Sequence, residues 1–175
     1  MNFNHLMIDI ETMGTESFSS IISLAAVEFD INTGATGLEF YRNISLQSCI
    51  DYGLIVDAST IMWWMKQSDE ARKILDKDVI PIHFALLDFA NFCSKDYQVW
   101  GNSARFDLGL LQNAFTKINV KIPWDFRKER CVRTLVSFKP EIKADFKYSG
   151  TAHNALADCH NQIQYCHLIW KSLNS

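Results

Sequence analysis

Residues that break a chain are scarce here: three prolines and seven glycines in 175 residues exclude extended disorder. No apolar run approaches the roughly 18 residues that a membrane-spanning helix needs. The start, Met1-Asn2-Phe3-Asn4-His5, has neither the charged region nor the cleavage site of a signal peptide. A cytoplasmic protein with no membrane contact is expected. Basic excess is also missing: the net charge is -3 and the pI about 5.9, which disfavours binding long duplexes through phosphate electrostatics. The five cysteines (Cys49, Cys93, Cys131, Cys159, Cys166) are odd in number and scattered, so a disulfide framework is disfavoured and free thiols in a reducing compartment are expected.

What is present is ordinary globular material, 48% hydrophobic and 21% charged. The length fits one domain, residues 1–175, that buries well over half of its unfolded surface. No repeat, low-complexity tract or linker divides it. Charge is uneven, however. Residues 127–147 hold seven Lys/Arg against three Asp/Glu, so one basic edge accompanies an otherwise acidic body.

Leu6 to Ile10, Ile21 to Phe29 and Leu38 to Ile44 read as strands, with the turn signal Asn32-Thr33-Gly34 before the third. Short connections make them an antiparallel meander. Asp57 can cap a helix carrying Ile61, Trp64 and Met65 on one apolar face, and a second short helix follows from Ser68. Pro81 opens a helix whose inward face is expected to hold Phe84, Leu86, Leu87, Phe89, Ala90 and Cys93, with Asp88 outside. Tyr97 to Gly101 reads as a strand, and Phe106 to Thr116 and Ala155 to Ser172 as helices. This order implies an α/β sheet flanked by helices.

Asp9 and Glu11 lie two apart on the first strand and therefore point from one face. Like charges so close are costly unless a cation lies between them. Taken alone, Asp-x-Glu is also compatible with a polar edge strand or a turn cap. Asp107 falls where a strand ends and a helix begins, a usual place for sites in α/β sheets, although a helix cap would also explain it. Asp158 follows His153 by five residues. Five helical positions span about 500°, so a shared face requires His153 in the preceding loop, with Asn154 as N-cap and Asp158 one turn inside. All-oxygen ligands select two hard ions, Mg²⁺ or Mn²⁺, a pair suited to phosphodiester hydrolysis. His153 is the candidate base for the attacking water; its bland role is a capping or hydrogen-bonded loop histidine.

Together, Asp9-x-Glu11, Asn102-x-x-x-Phe106-Asp107 and His153-x-x-x-x-Asp158 resemble the three motifs of the DEDDh, or DnaQ-like, exonucleases, in the right order and over nearly the whole chain. The resemblance implies a ribonuclease H-like fold with a central mixed five-stranded sheet, and 3′-to-5′ release of nucleoside 5′-monophosphates using two metal ions. It further implies that Asp9 bridges both ions, Glu11 and Asp158 complete one site, Asp107 supports the other and His153 is the general base. Asp9-Ile-Glu-Thr-Met-Gly14, Ser59-Thr-Ile-Met-Trp-Trp64 and Gln67-Ser68-x-x-Ala71-Arg72 are similar to the phage DexA-type and related bacterial exoribonuclease branch. By that analogy Thr12 and Met13 lie against the terminal nucleotide, Met13 touching the base; core filling is the alternative for Met13.

Single strands are usually held by aromatic stacking and a basic track. Trp63, Trp64 and Phe106 are the stacking candidates, and adjacent tryptophans about 100° apart on a helix allow one to be core while the other reaches the cleft. Arg105, Arg127, Arg130 and Arg133 are candidate phosphate contacts, against the alternative of a solvated face. Cys159-His160 and Cys166-His167 repeat at seven residues but match no standard zinc spacing.

The expected partner is therefore the 3′ end of single-stranded RNA or DNA, and the resemblance is compatible with a homodimer. Two other functions compete with this one. A phosphatase with Asp9 as nucleophile leaves Asp107 and the His153–Asp158 pair without a role. A non-catalytic nucleic-acid-binding module on a degenerate nuclease fold is disfavoured because all five catalytic positions are present.

Overall fold

A computed structural model describes residues 3–175. Its centre is a sheet of β1 (His5–Thr12), β2 (Ile21–Phe29), β3 (Thr36–Ile44), β4 (Val79–Ile80), β5 (Gln98–Gly101) and β6 (Glu129–Cys131). The order across the sheet is β4-β3-β2-β1-β5-β6. The first three strands form the expected antiparallel meander. The other three each lie parallel to a neighbour, β4 on β3, β5 on β1 and β6 on β5, so the sheet is mixed. It has six strands rather than five. Four of the six are legible as strands in the sequence; β4 and β6 are not, being only two and three residues long with no readable period-2 pattern.

The helices are α1 (Leu46–Asp51), α2 (Ala58–Trp64), α3 (Asp69–Arg72), α4 (Ile82–Phe92), α5 (Gly109–Lys117), α6 (Val132–Val136), α7 (Pro140–Ala144) and α8 (Ala155–Leu173). Side chains alternate along β1, which divides the core in two. Leu6, Ile8 and Ile10 join Ile82, Ala85, Leu86 and Phe89 of α4 and Leu110, Leu111 and Phe115 of α5. Met7 points to the other face, with Ala25 and Val27, beneath Ala155, Cys159, Ile163, Cys166 and Ile169 of α8. Asp9 and Glu11 share the parity of Met7 and so look toward α8. No helix among the described residues is long and apolar enough to cross a membrane.

Local signals act as read. Asp57 accepts from the Thr60 N–H at 3.0 Å, Ser68 from the Ala71 N–H at 3.2 Å and Asn154 from the Ala157 N–H at 3.0 Å, capping α2, α3 and α8. Two apolar faces differ from expectation. On α2 only Trp64 is buried, while Ile61 and Met65 are exposed, because this seven-residue helix sits on the rim and inserts a single side chain. On α4 the buried stripe is Ile82, Ala85, Leu86 and Phe89, the 3.6-residue spacing of one face. Phe84 (54% exposed) and Leu87 (44%) lie outside it, on the side of Asp88, which pairs with Arg42 at 3.1 Å.

Candidate active site

Asp9 stands on β1 with 8% of its surface exposed, and its Oδ1 accepts a 2.7 Å hydrogen bond from Nε2 of Gln162 on α8. Two residues on, the β1–β2 register slips between Glu11 and Thr12, an irregularity of the kind that re-aims side chains at strand ends. Asp107 arrives from the end of β5, where the chain makes one π-helical turn, Ala104–Leu108, before α5. Its own capping role is taken by Ser103, whose hydroxyl accepts the Phe106 N–H, while Asp107 Oδ2 accepts the Ser103 N–H at 2.8 Å. Gly101 makes room for it: a Cβ there would lie 2.9 Å from the Asp107 Cβ. Asp158 sits in the first turn of α8.

These elements bring carboxylate oxygens of Asp9, Glu11 and Asp158 within 4.8 Å of one another. Among the described residues no other cluster of three His, Cys, Asp or Glu side chains lies within reach of one ion. Asp107 is outside that trio but lines the same cavity of about 260 Å³, with Asn102, Phe106, Arg133, Lys143, Tyr148, Gln162 and Tyr165.

Burial and mutual repulsion make the cluster unstable as bare anions. Burial, then the charges of Asp107, Glu11 and Asp158, hold the Asp9 pKa well above the carboxylate range, and the Gln162 bond offsets only part of this. Glu11 is pushed up to about 8 by burial, then by Asp158 and Asp107. Asp107 is pushed up to about 6 by burial, which the Ser103 N–H and the Arg133 charge moderate. Asp158 is raised by burial, with His153 pulling the other way. Crowded, buried hard oxygen donors of this kind fit divalent cations, which neutralise their charge without a proton.

His153 lies in the loop before α8, at φ 59°, a left-handed conformation that histidine tolerates better than most residues. Its ring packs edge-to-face on Trp63 at 4.7 Å between centroids, with Trp64 at 6.3 Å. It borders a smaller cavity with Tyr148, Gly150 and Asp158, and Tyr148 and Asp158 also line the carboxylate cavity.

An apolar cleft adjoins the carboxylates through Glu11, lined by Thr12, Thr15, Ser59, Trp63, Trp64 and Phe106. Of the two tryptophans, Trp64 is core, its indole N–H donating to the Thr12 carbonyl at 3.0 Å, whereas Trp63 is exposed to the cleft. Phe106 borders the carboxylate cavity, the apolar cleft and a polar groove that holds Arg105. Met13 is a correction: it is 4% exposed, packs with Ile22, Trp64, Ala71 and Ile74, and does not line the cleft. Met13 follows the last residue of β1 and fills the core, where Met is a good gap filler.

Of the other arginines, Arg127 pairs with Asp125 at 3.4 Å and Arg130 donates to the carbonyls of Arg127 and Glu129, so only Arg133 reaches the cavity. The Cys/His repeat serves packing: Cys159 and Cys166 are buried, His160 pairs with Glu39 at 2.9 Å and His167 bonds the Ile31 carbonyl at 3.0 Å. Gln162 and Lys143 were missed in the sequence. A signal existed for Gln162, which lies one helical turn beyond Asp158 and therefore on its face; Lys143 had none beyond its place in the basic stretch.

No curated protein sequence matches the chain significantly. Its fold is similar to S. pombe Pop2p in the Mg²⁺- and Mn²⁺-bound form, at 13% identity and TM-score 0.66, covering 95% of this chain and 82% of that one. It is similar to a full-length 3′-exonuclease at 11% identity and TM-score 0.65, covering 98% and 84%. E. coli Exonuclease I in complex with a dA16 oligonucleotide is similar at 17% identity and TM-score 0.66, covering 94% of this chain but 40% of that one. The fold is thus the ribonuclease H-like one that the motifs implied. Residues 4–170 match the model of the 3′-5′ exoribonuclease Rv2179c-like domain, so the chain belongs to that family.

Proposed function

We propose that the chain removes nucleoside 5′-monophosphates from the 3′ end of single-stranded RNA, with DNA as a weaker substrate, using Asp9, Glu11, Asp107 and Asp158 as the ligands of two divalent ions. One observation carries this: acids from β1, the turn after β5 and α8 converge on one cavity beside an apolar cleft wide enough to be lined by two tryptophans and a phenylalanine. The RNA preference is supported by family membership. Bound Mg²⁺ or Mn²⁺, as in the S. pombe Pop2p structure, supplies activation of water and neutralisation of the leaving oxygen.

The chain's own residues do the rest. Asp9 groups with Glu11 and Asp158 within 4.8 Å and lines the same cavity as Asp107, so it would help to hold the ions there. Trp63 and Phe106 stack the terminal base in the cleft, and Thr12 offers its backbone beside them. Arg105 guides the upstream strand along the polar groove. His153, beside Asp158 and packed on Trp63, accepts the proton of the attacking water.

The unbroken sheet supports one domain over residues 1–175, five free cysteines support a cytoplasmic setting, and the exposed rings of Tyr52 and Phe84, packed on half-buried His83, support a homodimer contact.

The test is to incubate the protein with Mg²⁺ or Mn²⁺ and 5′-labelled RNA and DNA, each single- and double-stranded. A ladder shortening one nucleotide at a time is expected, nearly abolished by Asp9→Ala, Asp107→Ala or His153→Ala with the fold intact. Unchanged turnover in all three variants, or hydrolysis of simple phosphomonoesters alone, overturns the proposal.

A further inference from the structure

The wall of the carboxylate cavity carries two cations that the acids leave unpaired. Arg133 is the second residue of α6, and its backbone N–H donates to the Asn102 carbonyl at 3.1 Å, which fastens the helix to the strand end that presents Asp107. Lys143 lies on α7 with its ammonium 5.2 Å from the ring centre of Tyr165, a side chain that is itself buried. Both line the cavity together with all four acids. Yet neither makes an ion pair within 4.0 Å among the described residues, whereas Arg42, Arg72, Lys73, Arg127 and Lys128 each do. The cavity is therefore polarised, with acids grouped together and two positioned cations beside them. A phosphate is repelled by bare carboxylates and needs cations or hydrogen-bond donors to offset them. Divalent ions meet that need at the acids. Arg133 and Lys143 meet it at the wall.

We infer that Arg133 and Lys143 form a phosphate clamp, holding non-bridging oxygens of the phosphodiester under attack and then the 5′-phosphate of the released nucleotide. The inference rests on the nuclease reading above, but its test does not require turnover. Guanidinium and ammonium donors to phosphate are charge-assisted, and Arg offers a planar fork where Lys offers a point charge. The ligand class is a nucleoside 5′-monophosphate or the equivalent diester.

Binding of uridine 5′-monophosphate and of uridine to the Mn²⁺-loaded protein is compared by calorimetry for the wild type, Arg133→Gln, Lys143→Gln and the double variant. The wild type should prefer the monophosphate, and each substitution should lower that preference about tenfold, leaving uridine and Mn²⁺ affinities unchanged. In kinetic assays the slope of log(kcat/KM) for single-stranded RNA against log[salt] should become shallower by about 0.7 per cation removed. The clamp is overturned by a wild type that binds both ligands alike, or by a double variant whose preference stays within about twofold of wild type. If the wild type cleaves neither RNA nor DNA while the preference still disappears in the variants, the nuclease reading fails and the phosphate site stands.

Discussion

Gln162 and Asp9, 153 residues apart in the chain, are joined by a 2.7 Å hydrogen bond from the amide Nε2 to the carboxylate Oδ1. Gln162 is itself buried, and its Oε1 has no partner, so this one bond is what its side chain supplies. It fixes the plane of an acid that shares its cavity with Glu11, Asp107 and Asp158, as outer partners of metal ligands do.

Gln162→Leu should therefore lower Mn²⁺ affinity about 10- to 100-fold without unfolding the protein. Calorimetric titration reads the affinity and circular dichroism the fold. Turnover should recover at high Mn²⁺, which a purely structural defect would not allow; wild-type affinity in the variant would show that the bond positions nothing.

The raised carboxyl pKa values set a pH dependence with a definite sign. A group whose pKa is higher folded than unfolded binds protons more tightly in the native state, so its contribution is complete below the unfolded pKa and is lost as pH rises through the folded one. For Glu11 the window runs from 4.5 to about 8, and for Asp107 from 3.8 to about 6. In chelator the Tm should fall as pH rises across these windows. With Mn²⁺ the fall should largely vanish, so the gain from metal widens with pH. A metal-induced gain that is the same at both ends of the window would contradict this.

Neutralising one acid should separate stability from activity. Asp107→Asn keeps an oxygen to accept the Ser103 N–H, now 2.8 Å from Oδ2, but removes a charge that raises the pKa of both Asp9 and Glu11. The metal-free variant should melt higher than wild type at about pH 8, while nucleotide release is nearly abolished. A lower Tm in chelator would mean that repulsion among the acids is not the dominant cost.

Much of this site was legible because its parts obey local rules. Alternation on β1 put Asp9 and Glu11 on one face, and the angle per helical residue placed His153 before the Asn154 cap. What stayed hidden depends on tertiary contact. Met13 neighbours the motif yet packs with Trp64 and Ile74, contacts made by residues far along the chain that its own sequence does not reveal. Phe84 and Leu87 are as apolar as Leu86 and Phe89, so composition alone could not assign the buried stripe of α4. The strand β6 is too short for a period, and it is the one that leads into Arg133.

Trp63 touches both the cleft and His153, which links base stacking to the imidazole. Trp63→Ala should lower kcat about tenfold as well as raise KM, since the ring that sets the starting position of His153 is gone. Trp63→Phe should retain most of kcat, and neither variant should alter Mn²⁺ binding. A change confined to KM in Trp63→Ala would reduce Trp63 to a stacking platform.

The last relationship is steric. Gly101 ends β5, and an added Cβ would stand 2.9 Å from the Asp107 Cβ, 3.2 Å from its Oδ2 and 3.3 Å from the Ser103 carbonyl. Gly101 has no positive φ to require glycine, so space alone explains it. Neither neighbour is the loose end of a long side chain: one is the root of a metal-ligand candidate and the other is backbone. Gly101→Ala must therefore move Asp107 by some tenths of an ångström relative to Asp9, which Gln162 holds from the opposite side. Displacements of about an ångström at a reacting centre cost on the order of 100-fold in rate, so a loss of about tenfold or more in kcat is expected with the sheet intact. Steady-state kinetics at saturating Mn²⁺ beside the melting curve would test it, and wild-type kcat would show that the turn after β5 yields without disturbing the acid.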